Sequence, residues 1–244
     1  MIEPVIQMKP PRSAYANRLD EFREIAFAND RVCVHRGQWR EFFAPRIGAS
    51  FDGRIVFEIG CADGDFLARI ASKNPRTAFV GLDWKCKAIH DAAARATSDA
   101  LANVAFIRAR AQDISQLFDN GEVNEIWIFH PEPCEREVEL KNRLINETFL
   151  SNAFKVMGAG SMRLCLKTDH VEYYDHVMET ISLPTIRSLF DVVVSSRDLW
   201  ADADTQRRIG ARLFAAEKTG YEQRFVRRRK PIHYLELQPN EPAD

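Results

Sequence analysis

Short apolar runs alternate along this chain with stretches in which apolar residues recur every three or four positions. RIVFEIG at 54–60 is the first clear run. It is bounded by Arg54 and Gly60 and predicts a buried strand. DFLARIASKN follows with Phe66, Leu67, Ile70 and Ala71 at helical spacing, closed by Asn74-Pro75. TAFVGLD predicts a second strand, KAIHDAAARATSDAL a helix, NVAFIRA a third strand, and NEIWIFH a fourth that ends at Pro131. LKNRLINETFLSNAFKVM, at 140–157, predicts one long amphipathic helix stopped by Gly158-Ala-Gly160. SMRLCLKTD predicts a fifth strand, VEYYDHVMETI a helix, and FDVVVSS and PIHYLELQ the last two strands. Residues 1–20 read as a loose arm around Lys9-Pro-Pro-Arg12.

Strands alternating with helices imply an α/β fold, with a mostly parallel sheet and helices on both faces. Ligands in such folds bind beyond the carboxyl ends of the strands. A length of 244 residues suits one large domain. A net charge of −1 gives no whole-molecule field to steer a polyanion, so any nucleic-acid contact must come from local patches. The longest apolar runs fall far short of the ~20 residues of a membrane span, so no membrane partner is expected. MIEPVIQMKPPRSAY lacks the apolar core of a signal peptide. The five cysteines are scattered with no CxxC pair, which implies reduced thiols in a cytoplasmic protein. His130, Cys134, Cys165 and His170 match no closed zinc-site spacing, and no metal is expected.

The first strand ends in EIGCADGDF, running from Glu58 through Gly60, Ala62 and Gly64. Small residues at 60, 62 and 64 let a ligand approach the backbone. A dinucleotide site would need GxGxxG and a helix N-terminus open to pyrophosphate. Asp65 stands at the third glycine position beside Asp63, and two carboxylates there oppose a pyrophosphate. They tolerate a cationic or zwitterionic nucleoside such as S-adenosylmethionine. Asp83 ends the second strand about twenty residues on, where an acid can accept both ribose hydroxyls. The fourth strand runs into WIFHPEPCER, which holds Glu132 between two prolines. The alternatives are a tight turn with helix caps at 58–65 and a surface acid at 132.

These motifs resemble the bacterial tRNA (guanine-N7)-methyltransferases. QWREFF, EIGCADGDF, NPRTAFVGLDWK, the loop after strand four, KTD at 167–169 and TGYEQRF at 219–225 occur in that family's order. The similarity runs from about Gly37 to Leu237, which divides the chain into an N-terminal arm (1–36) and one domain (37–244). The resemblance implies a class I, Rossmann-like, S-adenosylmethionine-dependent methyltransferase that acts on tRNA. It places Glu132 at the family's catalytic aspartate and Asp169 at the active site with Thr168. Glu58, Gly60, Ala62, Gly64 and Asp83 then face the cofactor, and Gln112 or Asp113 stands where the adenine is held. Thr219 and Glu222 match a T-x-x-E that contacts cofactor and target guanine. Arg136, Lys141 and Arg143 are what remains of a basic RNA-binding run. Four departures stand out: Ala62 for glycine, Arg110 for an acid, Cys134 for tryptophan, and a strip at 135–143 in which three cations meet Glu135, Glu137 and Glu139. Such a strip should not grip phosphates. The basic run Arg227-Arg-Arg-Lys230, with Arg207, Arg208, Arg212 and Arg224, is either its replacement or a solvated turn.

Guanine N7 carries a free lone pair, so the chemistry needs alignment, exclusion of water and stabilised positive charge rather than a strong base. Glu132, Asp169 and Glu222 are the candidate carboxylates for guanine N1–H and N2–H₂. Exchanging aspartate for Glu132 adds a methylene, about 1.5 Å, and misplacement of that order can cost on the order of 100-fold in rate. Two other functions stay open: a methyltransferase of this fold acting on a small molecule or another RNA, and a non-catalytic binding protein. The chain is expected to be a monomer or a homodimer.

Overall fold

The computed structural model describes residues 13–158 and 160–241. Lys9-Pro-Pro-Arg12 lies outside them. The elements run α1 (Tyr15–Arg18), β1 (Ala26–Phe27), α2 (Trp39–Ile47), β2 (Ile55–Ile59), α3 (Asp65–Lys73), β3 (Ala78–Asp83), α4 (Cys86–Ser98), β4 (Val104–Arg108), α5 (Ile114–Leu117) and β5 (Glu125–Phe129). They continue with α6 (Glu147–Met157), β6 (Arg163–Thr168), α7 (Val171–Ser182), α8 (Pro184–Arg187), β7 (Phe190–Ser196), α9 (Ala203–Ile209), α10 (Gly220–Arg227) and β8 (His233–Pro239).

The strands form one eight-stranded sheet in the order β1-β4-β3-β2-β5-β6-β8-β7. From β1 to β6 every pairing is parallel, and β8 runs antiparallel to both β6 and β7. The order reverses between β2 and β5, which opens a crevice at their carboxyl ends. Alternation along each strand divides the core. Ile55, Phe57 and Ile59 of β2 join Trp39, Phe118, Phe149 and Tyr173 on one face. Val56 joins Leu67, Ile70, Ile89 and Trp127 on the other. The Tyr173-Tyr174 pair is buried packing, as its helical spacing suggests.

Two expectations need correction. Residues 13–20 are not a loose arm. Leu19 is buried with Ile25, Ala26 and the α4 residues Ile89 and Ala93. β1 extends the sheet beside β4, and Phe106 N donates to Ile25 O at 2.7 Å. The apolar Ile25-Ala-Phe27 segment explains this, because it covers an otherwise bare sheet edge. Nor is 140–157 one helix. A 3₁₀ turn spans Glu137–Asn142, and α6 starts only after Asn146, whose Oδ1 caps Phe149 N at 3.0 Å. Arg143 between them is extended and nearly buried, its Nε donating to Pro133 O at 3.1 Å. A tertiary hydrogen bond therefore overrides helical propensity at that point.

Gly64 holds α3 and α4 together. Its φ is +69°, and a Cβ there would stand 2.7 Å from the Ala92 Cβ. Gly64→Ala should lower stability by about 2 kcal/mol, through overpacking and left-handed strain together. Thermal denaturation should show a Tm roughly 4–8 °C lower.

Candidate active site

Backbone geometry comes first at the end of β2. Gly60 has φ +83°, and a methyl there would meet nothing within 4 Å. Its N–H and that of Cys61 both donate to Leu82 O, at 2.7 and 3.0 Å. Ala62 is exposed and left-handed (φ +49°), a strain on the order of 1 kcal/mol that glycine would avoid. Asp83, at the end of β3, accepts from Lys85 N at 2.8 Å and from the backbone of Ala62 and Trp84. The β3 acid is thus tied to the turn after β2. Burial raises the Asp83 carboxyl above its ordinary range, with those backbone donors pulling the other way.

Beneath this turn Glu58 is buried, and its Oε2 has no hydrogen-bond partner. Burial pushes its carboxyl up to about 8, against the pull of Arg69. Asp63 and Asp65 are not a bare acidic pair. Arg95 reaches both, at 3.3 and 3.6 Å, and Arg69 reaches Asp65 at 3.2 Å. The repulsion of a pyrophosphate expected from their sequence positions is therefore softened. Gln112 is exposed on the lip of a cleft of about 340 Å³ that it shares with Asn146, Glu147, Thr148 and Phe149. Asp113 stands behind it, its carboxyl raised chiefly by burial.

The ends of β5 and β6 lie side by side. His130 is left-handed (φ +55°), its N–H donates to Lys167 O at 2.7 Å, and its Nδ1 is 3.4 Å from Asp169 Oδ1. Lys230 Nζ pairs with the other oxygen, Oδ2. Burial works to raise the Asp169 carboxyl, but the His130 and Lys230 hydrogen bonds outweigh it and hold the group well below the usual carboxylate range. Cys134 is also left-handed (φ +49°), so strained residues bracket the Pro131-Glu132-Pro133 turn. Glu132 itself is exposed and has no hydrogen bond among the described residues.

Behind this mouth sits a buried ion pair. Lys167 Nζ lies 3.1 and 3.2 Å from the two carboxylate oxygens of Glu222, and both side chains are sealed from solvent. Trp200 Nε1 donates to Glu222 Oε1 at 2.8 Å and Thr219 N to Oε2 at 3.2 Å. Glu222 N in turn donates to Thr219 Oγ1 at 3.1 Å, completing a capping box. The ammonium also lies about 5.0 Å from the ring centres of Phe129 and Phe214. Burial lowers the Lys167 pKa, and Glu222 opposes that.

A family model described as "Putative methyltransferase" matches residues 52–235. The chain belongs to this methyltransferase family. It is 30% identical to the tRNA (guanine-N(7)-)-methyltransferase of Porphyromonas gingivalis, over 85% of this chain and 78% of that one. The corresponding figures for the enzyme of the same name from Cytophaga hutchinsonii are 28%, 84% and 86%. A bifunctional glycosyltransferase/methyltransferase of Fusobacterium nucleatum is 30% identical over 91% of this chain, which spans about a third (32%) of that relative's length. Among solved structures, the antibiotic-resistance methyltransferase Kmr superposes with a TM-score of 0.58 at 17% identity, covering 84% of this chain and 94% of that one. These figures establish a class I methyltransferase fold.

Several residues picked out by sequence also make structural contacts within the fold. Glu222 and Thr219 are buried and cap each other reciprocally, which anchors α10. Thr168 is buried, its Oγ1 accepting from His170 N at 3.2 Å, and positions Asp169. Arg143 is held by Pro133 O and lies 5.7 Å from the Tyr173 ring centre. Arg136 is paired with Glu139, and Lys141 stays exposed. Gly64 serves helix packing, whereas Gly60 leaves open space. His130 and Lys230 were missed as Asp169 partners, since only a fold can bring 130, 169 and 230 together. Among the described residues no three His, Cys, Asp or Glu side chains group as metal ligands. None of the described helices is long and apolar enough to cross a membrane.

Two outcomes test these placements. Glu222→Gln should lower stability to denaturant by about 3 kcal/mol, because it strands a buried ammonium, and adding Lys167→Met should recover most of the loss. The raised Glu58 carboxyl makes stability fullest below about 4.5 and erodes it as pH climbs through about 8. Glu58→Gln should therefore match the wild-type Tm at pH 5 and exceed it by several degrees at pH 8.5.

Proposed function

We propose that this methyltransferase methylates N7 of a guanine in tRNA, with S-adenosylmethionine as donor. The observation that carries the proposal is the ionised Asp169, clamped by His130 and Lys230 beside the Pro131-Glu132-Pro133 turn. The names of the Porphyromonas and Cytophaga relatives support it.

The residues at the β2 and β3 ends fit the donor. Open space at Gly60 admits it, the unpartnered Glu58 Oε2 can accept from an ammonium, Asp83 can accept from ribose hydroxyls, and Gln112 borders the adenine side. When bound, S-adenosylmethionine supplies an electrophilic methyl group on a sulfonium. On the acceptor side no base is required, because N7 has a free lone pair. Asp169 can accept hydrogen bonds from guanine N1–H and N2–H₂, which identifies the base and favours positive charge on its ring. Glu132, on a turn pinned through Pro133, is free to add a second acceptor. Extrusion of the base or an open loop is required for it to reach this site. Phosphate contact falls to Arg227, Arg228 and Arg229, all exposed at the end of α10. A tRNA acceptor implies a cytoplasmic protein.

One observation favours a different acceptor. With Arg136 paired and Arg143 buried, the 135–143 strip has little to offer a phosphate backbone. A labelled-methyl assay on tRNA lacking N7 methylation, run beside ribosomal RNA, separates the two readings. Transfer should go to tRNA guanine N7. Asp169→Asn should lower kcat by on the order of 100-fold while donor binding by calorimetry persists, with Glu132→Ala acting in the same direction. Donor binding without transfer to tRNA would overturn the assignment.

A further inference from the structure

Tyr221 is 58% exposed, although it sits on α10 next to the buried anchor Glu222. Its ring centre lies 6.5 Å from those of Phe225 and His130, with interplanar angles of 27° and 36°. Phe225 and His130 are 5.6 Å apart. Cations lie over two of the rings: the exposed Arg224 side chain is 5.7 Å from the Tyr221 ring centre and Lys230 is 5.1 Å from that of Phe225. Both His130 and Lys230 also contact Asp169. An exposed aromatic ring, packed against His130 and Phe225 and covered in part by a solvent-exposed arginine that a ligand can displace, therefore stands one side chain away from an ionised carboxylate.

Each part suits one kind of ligand. Tyrosine offers a flat surface that stays rigid at low entropic cost, the carboxylate accepts from ring N–H groups, and the exposed Arg224, once swung off the ring, suits a phosphate-bearing strand. Sequence spacing hides the arrangement, because Tyr221 and Phe225 read as an ordinary i, i+4 pair. The ion pair of Glu222 with Lys167 fixes the helix so that its acid is buried while Tyr221 stays at the surface beside His130.

We propose that the face of Tyr221, backed by Phe225 and His130, is the platform on which the acceptor purine stacks. This rests on the reading of a guanine base as methyl acceptor. N7 methylation makes the purine cationic, and an electron-rich ring attracts a cation over its face. The platform therefore favours the methylated base, and with it the transition state, over the neutral one.

The test compares wild type, Tyr221→Phe and Tyr221→Leu in steady-state methylation of unmodified tRNA, with donor affinity measured by calorimetry. Tyr221→Leu should lower kcat/KM by about ten- to a hundredfold, the scale of one lost base–aromatic stack, with donor affinity unchanged. Tyr221→Phe, which keeps the face, should restore activity to within about threefold. Wild type should bind N7-methylated tRNA more tightly than unmethylated tRNA, and Tyr221→Leu should abolish that preference. Activity of Tyr221→Leu equal to wild type, or an equal loss in Tyr221→Phe, overturns the platform. If wild type methylates no tRNA, the functional reading fails, and quenching of 2-aminopurine in a single-stranded oligonucleotide decides the platform. Quenching lost in Tyr221→Leu alone supports it, and quenching unchanged in that variant overturns it.

Discussion

The mouth of this protein is organised by an ion pair that no solvent reaches. Taking Lys167 and Glu222 out of water is expensive, and the attraction between them offsets that only when every remaining donor and acceptor is satisfied. Here they are. Trp200 and Thr219 complete the carboxylate, and the rings of Phe129 and Phe214 surround the ammonium. Because the geometry of the pair is directional, α10 has one docking position on the end of β6. That docking carries Lys230 to Asp169, whose other oxygen faces His130.

The site separates its carboxylates by environment. Glu58 lies under the β2 turn with an oxygen unpartnered, and burial keeps it protonated near neutrality. Asp169, two strands away in the sheet, is ionised because two hydrogen-bond donors converge on it. Burial and hydrogen bonding thus push two acids at strand ends in opposite directions.

Much of the architecture was readable from the chain alone. The strands from Ile55 to Thr168 are apolar runs with few alternative fates, and the turns after them carry residues that packing does not explain. What escaped reading was tertiary. Arg143 interrupts a helical pattern because the Pro133 carbonyl captures it. α10 buries a glutamate where a binary pattern calls for an apolar residue. His130, Asp169 and Lys230 lie so far apart in sequence that only the closing of the sheet brings them together. Ala62 and His130 adopt left-handed backbone that their residue types do not announce. Local sequence thus shows where chemistry gathers at strand ends, while the partners that tune each group come from distant parts of the chain.

The two-residue strand β1 has a consequence beyond the site. A long bare β4 would offer its row of amide and carbonyl groups to any passing extended chain. Capping it with Ala26–Phe27 leaves a template too short to recruit a foreign strand. On the opposite flank, β7 carries a register irregularity between Val192 and Val194, and a kinked margin is equally poor for pairing. The molecule thereby keeps a broad, strongly apolar sheet without offering either border as a seed for fibre growth.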